Sequence, residues 1–311
     1  MKLSVMKNKT ASYVVSITLV ILSLFFMFKN GFEWGIEFRG GTSVQLIFAE
    51  QADEGKIRNA FDKVAAAIEQ KTGHQHAHLA SGKIVIQPVE GEHKQQEFIV
   101  KYPLPVILEA VNDDEVLNEL NKELPHEVVS TSNIGAAVGD KMKSDGLVAA
   151  AFSIIGMLVY LAWRFNFDDA VGVIAAVTQD FIIMLGFISF TKMTFDTTIL
   201  AALLTLLGYS VNNSIVIFDR IRENRRLMKA GTPPEELIDL SVNQSLIRAF
   251  NTTFTTLLAL MALTLFGGDS IHGFAVSLVF GNLVGTLSSI FLASPIAYET
   301  MKIRGAKKKA A

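Results

Sequence analysis

The stretch TTILAALLTLLGYSVNNSIVIFDRIRENRR, Thr197 to Arg226, stays free of formal charge through Phe218. It then turns abruptly to Asp219-Arg220-Ile221-Arg222-Glu223-Asn224-Arg225-Arg226. About twenty apolar residues are enough to cross the hydrocarbon core of a bilayer, so Thr197 to Phe218 reads as a transmembrane helix. Its arginine-rich exit marks the cytoplasmic end. Within the apolar run stand Gly208, Tyr209, Ser210, Asn212, Asn213 and Ser214. Amides in hydrocarbon need partners or water, so Asn212 and Asn213 suggest a polar seam facing the interior. Two readings follow, hydrogen bonding to neighbouring helices as packing, or a solvated pathway for an ion.

Composition agrees with a membrane protein. Of 311 residues half are hydrophobic and only 19% charged, with a mean hydropathy of +0.37. The net charge of -2 conceals a strong asymmetry between segments. There is no cysteine, which removes disulfides, thiolate chemistry and cysteine-ligated metals. The first apolar run, Ala11 to Phe28, follows Lys2, Lys7 and Lys9. It is longer than a signal-peptide core and lacks a small-residue cleavage site, so it is expected to stay as an anchor.

That anchor delivers Asn30 and Gly31 to the far side, and residues 31–145 contain no run long enough to span a membrane. They are expected to form a periplasmic domain of ordinary size. Thr42 to Phe48 alternates and is β-branched, Asp53 to Gln70 has helical spacing, and Lys83 to Gln87 and Glu97 to Tyr102 read as strands. Asn112 to Leu124 reads as a helix and Glu127 to Ser132 as a closing strand. This order predicts a small α+β, ferredoxin-like domain with helices on one face of a largely antiparallel sheet. His74, His76 and His78 sit in a polar loop without acidic or cysteine partners at fixed spacing, so they are read as solvated and no metal site is expected.

Five more apolar runs follow, Gly146 to Trp163, Ala170 to Phe190, Thr197 to Phe218, Ala249 to Phe266 and Phe274 to Tyr298. The expected organisation is residues 1–30 as cytoplasmic N-terminus and first span, 31–145 as the periplasmic domain, 146–298 as a five-helix region, and 299–311 as a basic tail. Segment 219–245 is a cytoplasmic loop in this scheme, and both termini lie in the cytoplasm. Arg164, then Arg220, Arg222, Arg225, Arg226 and Lys229, then Lys302, Arg304, Lys307, Lys308 and Lys309 all fall on the inner side, while the external turns carry a single lysine. Thr232-Pro233-Pro234-Glu235-Glu236 has the signature of a short amphipathic helix lying on the membrane surface.

Two ionisable residues stand where a purely structural helix would not place them. Asp180 is at the middle of the third span, where a carboxylate costs a few kcal/mol, which makes function the default reading and a fixed ion pair the alternative. Arg248 opens the fifth span ahead of Asn251, Thr252, Thr253, Thr255 and Thr256, and one helical step of four puts Arg248 and Thr252 on a common face. Snorkelling to the headgroups is the competing reading for that arginine. No phosphate-binding Gly-Lys-Ser/Thr loop is present, and nothing points to an enzyme. Acid, base and hydroxyl groups on separate spans fit ion movement coupled to a change of shape.

These residues, taken together, resemble the SecF branch of the SecD/SecF protein-export family, in the resistance-nodulation-division superfamily. The resemblance covers nearly the whole chain. It rests on Gly35-Ile36-Glu37-Phe38-Arg39-Gly40-Gly41, on Gly208-Tyr209-Ser210-Val211-Asn212-Asn213 leading to Phe218-Asp219-Arg220-Ile221-Arg222-Glu223-Asn224, on Ser241-Val242-Asn243-Gln244 with Arg248, and on Phe266-Gly267-Gly268. It implies a bacterial inner-membrane subunit that partners SecD, and YajC as a further companion, beside the SecYEG translocon. There the pair draws on a proton or sodium gradient, with no cofactor, to help an unfolded preprotein emerge on the periplasmic side. Membrane lipids surround such a subunit and no nucleic acid is involved. In the family an aspartate of SecD, a polar pair in the fourth span and the fifth-span arginine form the ion route. Here those positions match Asn213 and Arg248, with Thr252 and Asp180 nearby. Asn213 stands where family members usually carry aspartate, and an amide cannot titrate. Glu37 and Arg39 stand where Asp and Thr are usual. The rival expectations are half of an exporter of lipids or small hydrophobic molecules in the same superfamily, and a scaffold that only stabilises a partner.

Overall fold

The computed structural model describes residues 3–72, 84–89, 96–103, 113–227 and 232–310. His74, His76 and His78, together with Lys83 and Lys229, lie outside the described residues. The chain divides into two compact units, Met1–Glu33 with Val148–Leu265 and Gly273–Ala311, and Trp34–Leu147 with Phe266–His272.

Among the described residues, six helical segments are long and apolar enough to cross a membrane. They are α1 (Lys9–Asn30), α5 (Ala136–Arg164), α6 (Phe167–Thr191), α7 (Thr197–Leu227), α8 (Pro234–Phe266) and a sixth, interrupted one. The sixth is made of α9 (Asp269–Ser288), a π-helical turn (Ser289–Ala293) and α10 (Ser294–Ala310). Two-residue strands β1 (Glu33–Trp34) and β6 (Thr194–Phe195) complete this part of the chain. Asp196 caps α7, accepting from the Thr198 hydroxyl at 2.6 Å and the Ile199 amide at 2.8 Å, and so satisfies groups that a helix start leaves unpaired.

Half of the apolar window is buried in α6, in α7 and in slightly more of the sixth segment, whereas α1, α5 and α8 keep most of theirs exposed. The outward residues of those three are themselves apolar, among them Phe25, Phe152, Trp163, Phe250 and Phe254. Such surfaces suit hydrocarbon or another apolar helix. Close helix approach rests on glycine. A Cβ on Gly186 of α6 would lie 2.3 Å from the Ser23 Cβ of α1, and one on Gly172 would lie 2.3 Å from the Ala293 carbonyl of the π-helical turn. The far end of α1 is tied to α6 by the Ser189 hydroxyl, which donates to the Phe26 and Gly31 carbonyls at 2.8 Å. The chain ahead of α1 is held by α8, where the Asn243 side chain bonds both the amide (2.8 Å) and the carbonyl (2.6 Å) of Leu3.

Two differences from the sequence reading are physical. The helix α5 starts at Ala136, ten residues before the apolar run, because hydropathy marks where hydrocarbon would lie and not where a helix begins. Segment 219–245 is not a loop carrying a separate surface helix. Asp219–Leu227 continues α7, and α8 runs unbroken from Pro234 to Phe266, with prolines only at its start and no glycine or proline inside it.

The second unit holds a four-stranded antiparallel sheet in the order β3 (Val85–Pro88), β4 (Glu97–Pro103), β2 (Gly41–Phe48), β5 (His126–Ile134). Alternation places Val44, Leu46 and Phe48 of β2 with Phe98, Val100 and Tyr102 of β4 on one face. That face is covered by Ile57, Phe61, Val64 and Ile68 of α3 (Glu54–Thr72) and by Val116 and Leu120 of α4 (Asp113–Glu123). The Asp113 carboxylate ties helix to sheet, accepting at 3.0 Å from both the Thr42 hydroxyl and the Tyr102 phenol. Burial, followed by the neighbouring Asp113 charge, raises the Tyr102 phenol far above its ordinary value, so it remains a donor.

The glycine motif forms a single helical turn, α2 (Ile36–Arg39), entered through Gly35. Gly40 ends it at φ +80°, a conformation that costs a side-chain-bearing residue dearly, and its amide returns to the Ile36 carbonyl at 2.8 Å. Gly41 then enters β2 so close to β4 that a Cβ would lie 2.5 Å from the Tyr102 carbonyl. Glu37 pairs with Lys101 at 3.2 Å.

His126 yields a pH prediction for this unit. Burial lowers its pKa, outweighing the bond between its ring and the Leu124 carbonyl at 2.8 Å. The unfolded chain therefore binds the proton more readily, and stability contributed by the neutral ring is lost as pH falls below about 6.5. Hydrogen-exchange protection of β2 and β5, corrected for intrinsic rates, should drop between roughly pH 7.5 and 5.5 in the natural chain. It should drop much less in His126→Gln, and equal losses in both would contradict the assignment.

Candidate functional site

Asp180 is 1% exposed, in the middle of α6. Two hydroxyls donate to its Oδ2, Ser210 of α7 at 2.5 Å and Ser288 at the end of α9 at 2.7 Å. Its Oδ1 is buried and has no hydrogen-bond partner among the described residues. Gly285 packs against the Asp180–Ser210 pair, since a Cβ there would press on the Ser210 Cβ at 3.3 Å and meet Oδ2 at an ordinary 3.5 Å. The result is a carboxylate held on one oxygen and open on the other, inside the three best-buried spans. Such a group can take a proton or ligate a cation.

A second tier of polar groups adjoins it. Ser214 and Ser289 hydroxyls are 3.0 Å apart, and the Ser289 hydroxyl also donates to the Gly285 carbonyl at 2.7 Å. The Asn213 amide donates to the Thr286 hydroxyl at 3.1 Å, which lies 2.9 Å from that of Thr253 on α8. Ser210, Asn213, Ser214 and Ile217 follow i, i+3, i+4, i+7 on α7, so one face carries the band. The adjacent serines 288 and 289 both point inward because the helix widens into a π turn at Ser289, a distortion found frequently at functional sites. Asn282 is buried with both side-chain polar atoms unpartnered among the described residues.

Of the expected ion-pathway residues, the structure buries Asp180 and Asn213, Asp180 bonded to Ser210 and Ser288 and Asn213 to Thr286. It does not bury Asn212, Arg248 or Thr252. Asn212 is exposed, turned about 100° from Asn213 to the side away from the Ser210–Asn213–Ser214–Ile217 face. Arg248 is exposed on α8, whose inward stripe is Ser241, Ser245, Ala249 and Thr253. The Thr252 hydroxyl bonds the Arg248 main-chain carbonyl at 2.9 Å, so the pair shares a backbone bond and not a side-chain one. Ser288, Ser289, Thr286 and Asn282 were missed, being hidden in the last apolar run. Their spacing there, several small polar residues within two turns, was the available signal.

At the charged end of α7, one nitrogen of Arg164 donates to both Asp219 oxygens at 2.6 Å. Arg220 bonds Gln244 at 2.7 Å and Glu223 at 2.5 Å, while Asn224 bonds Ser241 and Gln244 of α8. The Arg220–Gln244 and Asn224 bonds clamp α7 to α8, the Arg164–Asp219 pair ties α5 to α7, and Arg222 is exposed. Gly208 meets no such demand, since a Cβ there has nothing within 4 Å. Gly208→Ala should therefore be neutral or stabilise by up to about 1 kcal/mol in thermal unfolding, and a clear loss would reveal a close neighbour. No group of three or more His, Cys, Asp or Glu able to hold a metal occurs among the described residues.

Fold and site together define a multi-pass membrane protein with a buried polar band in its three-helix centre, the chain also carrying an antiparallel α+β unit. Residues 115–303 match the family model "Protein export membrane protein SecD/SecF, C-terminal", and residues 25–48 match the "SecD/SecF GG Motif". The protein translocase subunit SecF of Sebaldella termitidis is 36% identical over 299 residues, covering 96% of this chain and 92% of that protein. SecF of Pseudomonas aeruginosa is 32% identical, covering 93% and 88%. The crystal structure of SecDF, a translocon-associated membrane protein from Thermus thermophilus, matches with a TM-score of 0.78 at 31% identity over 97% of this chain. The chain spans only 39% of that SecDF chain.

The chain therefore belongs to the SecF family of protein translocase subunits. It is a multi-pass bacterial inner-membrane protein with a role in the Sec pathway.

Proposed function

We propose that this chain pairs with SecD beside SecYEG, with YajC as a further companion, and uses an ion gradient to help preproteins emerge on the periplasmic side. In this reading residues 31–145 form a periplasmic ferredoxin-like domain, the segment around 219–245 and the tail 299–311 face the cytoplasm, and both termini are inside. The observation that carries the proposal is the buried Oδ1 of Asp180, unpartnered among the described residues, whose other oxygen accepts from the Ser210 and Ser288 hydroxyls. A buried carboxylate with one free oxygen is costly in a bundle that needs it only for packing.

Asn212 of α7 and Arg248 and Thr252 of α8 enter the ion route only if a partner covers the exposed faces of both helices, and the family resemblance supplies that partner as an aspartate of SecD. Asn213 cannot carry a proton, although its carbonyl oxygen can ligate sodium. Protons would then travel through Asp180 and the SecD carboxylate, and sodium through the amide.

Depletion of this chain should make unprocessed secretory precursors accumulate, and normal export kinetics would remove the proposal. Arg248→Ala and Arg248→Lys should both lose export, because an ammonium lacks the planar fork that grips a carboxylate. A mere scaffold would keep it. Export measured against sodium and pH separately, in natural chain and Asn213→Asp, assigns the ion.

A further inference from the structure

The last turn of α5, the connector into α6 and the end of α7 enclose a cleft of about 330 Å³, lined by Trp163, Asn166 and Asp169 with Arg164, Arg222, Arg225 and Arg226. It adjoins a second cavity of about 370 Å³ that shares Arg164, Arg222 and Arg226. Two of the four guanidiniums are occupied, Arg164 by Asp219 at 2.6 Å and Arg225 more loosely by Asp169 at 3.5 Å. Arg222 and Arg226 make no ion pair among the described residues, yet both line both cavities. Positive-inside placement accounts for arginines at this end of the spans, but not for their convergence on one concavity. Like charges brought together in this way are complementary to an anion presenting several oxygens, and guanidinium forks suit phosphate in particular.

We infer that this cleft binds the phosphodiester headgroup of an anionic phospholipid. Trp163 decides between a lipid and a free anion. It is 83% exposed at the rim, on the last turn of a span, where an indole lies at headgroup level with its ring against acyl chains. A soluble phosphate would gain nothing from it. The loose Asp169–Arg225 pair lets Arg225 turn to the headgroup while the tight Asp219–Arg164 pair holds the wall. The inference uses the proposed cytoplasmic position of this end, but lipid retention is read without any export assay, so its failure and a failure of the export proposal are separable.

The test is native mass spectrometry of the full chain released from vesicles of equal phosphatidylglycerol and phosphatidylcholine. The natural chain should retain one phosphatidylglycerol in preference to phosphatidylcholine. Each cation near an anionic headgroup is worth about a factor of five, so R222Q/R226Q should weaken retention by about thirtyfold. K302Q/R304Q, which removes the same charge outside the cleft, should change it by less than about threefold. Trp163→Ala should weaken phosphatidylglycerol and leave inorganic phosphate unaffected. Should R222Q/R226Q fail to insert, R222K/R226K keeps the charge and should still lose affinity through the missing forks. Undiminished retention in the cleft variants, or equal loss in both double-glutamine variants, overturns the site. Displacement of phosphatidylglycerol by inorganic phosphate at comparable concentration overturns the lipid assignment.

Discussion

Asp180→Asn should yield a folded, inserted protein that no longer supports export, with precursors accumulating to the level of the depleted strain. The substitution keeps shape and leaves an amide oxygen to accept from Ser210 and Ser288, so the network around Oδ2 survives. Replacing one acceptor by another costs about 1 kcal/mol or less. What disappears is the ability to carry charge, and with it any proton or cation held at the open oxygen. Asp180→Leu separates the two effects, since it strips the Ser210 hydroxyl of the carboxylate it donates to and should cost about 1–3 kcal/mol in stability as well as activity. The readout is pulse-chase processing of a secretory precursor, with protein amount followed by immunoblot. Natural processing rates in Asp180→Asn at natural abundance would leave the ion proposal without its central group.

Gly186→Val is expected to be the most damaging substitution for folding. The new Cβ would meet the Ser23 Cα at 2.5 Å as well as its Cβ at 2.3 Å, so a rotamer change cannot relieve the clash and α1 must move away from α6. Overpacking of this kind costs about 1–3 kcal/mol and more where backbone is the obstacle. Separation would also strain the bonds from Ser189 to Phe26 and Gly31. Thermal unfolding of the purified chain should fall clearly for Gly186→Val. An unchanged midpoint would show that the two helices are not in the contact described.

What could be read from the residues, and what could not, divides along a physical line. Length and hydropathy locate a residue along the membrane normal, and for that reason α7 and the mid-span position of Asp180 were visible in advance. Rotation about the helix axis is another matter. In a helix apolar nearly all round there is no amphipathic stripe to set the phase, so Asn212 could not be told from Asn213, nor the outward Arg248 from the inward Thr253. The sheet was easier to read, because strand alternation states its own phase in β2 and β4. The serines at 288 and 289 escaped for a further reason. Their joint inward direction depends on a wide turn that no periodicity in the chain announces.

That wide turn makes the sixth span two rods with separate azimuths, coupled at the depth of the acidic side chain. Tightening Ser289–Ala293 to ordinary helix would swing one rod about 100° and slide it about 1.5 Å against the other. Ser288 and Ser289 could not then both keep Asp180 and Ser214. The same turn thus sets both the Ser288 bond to Asp180 and how the Ala297 end of the span seats against Gly172.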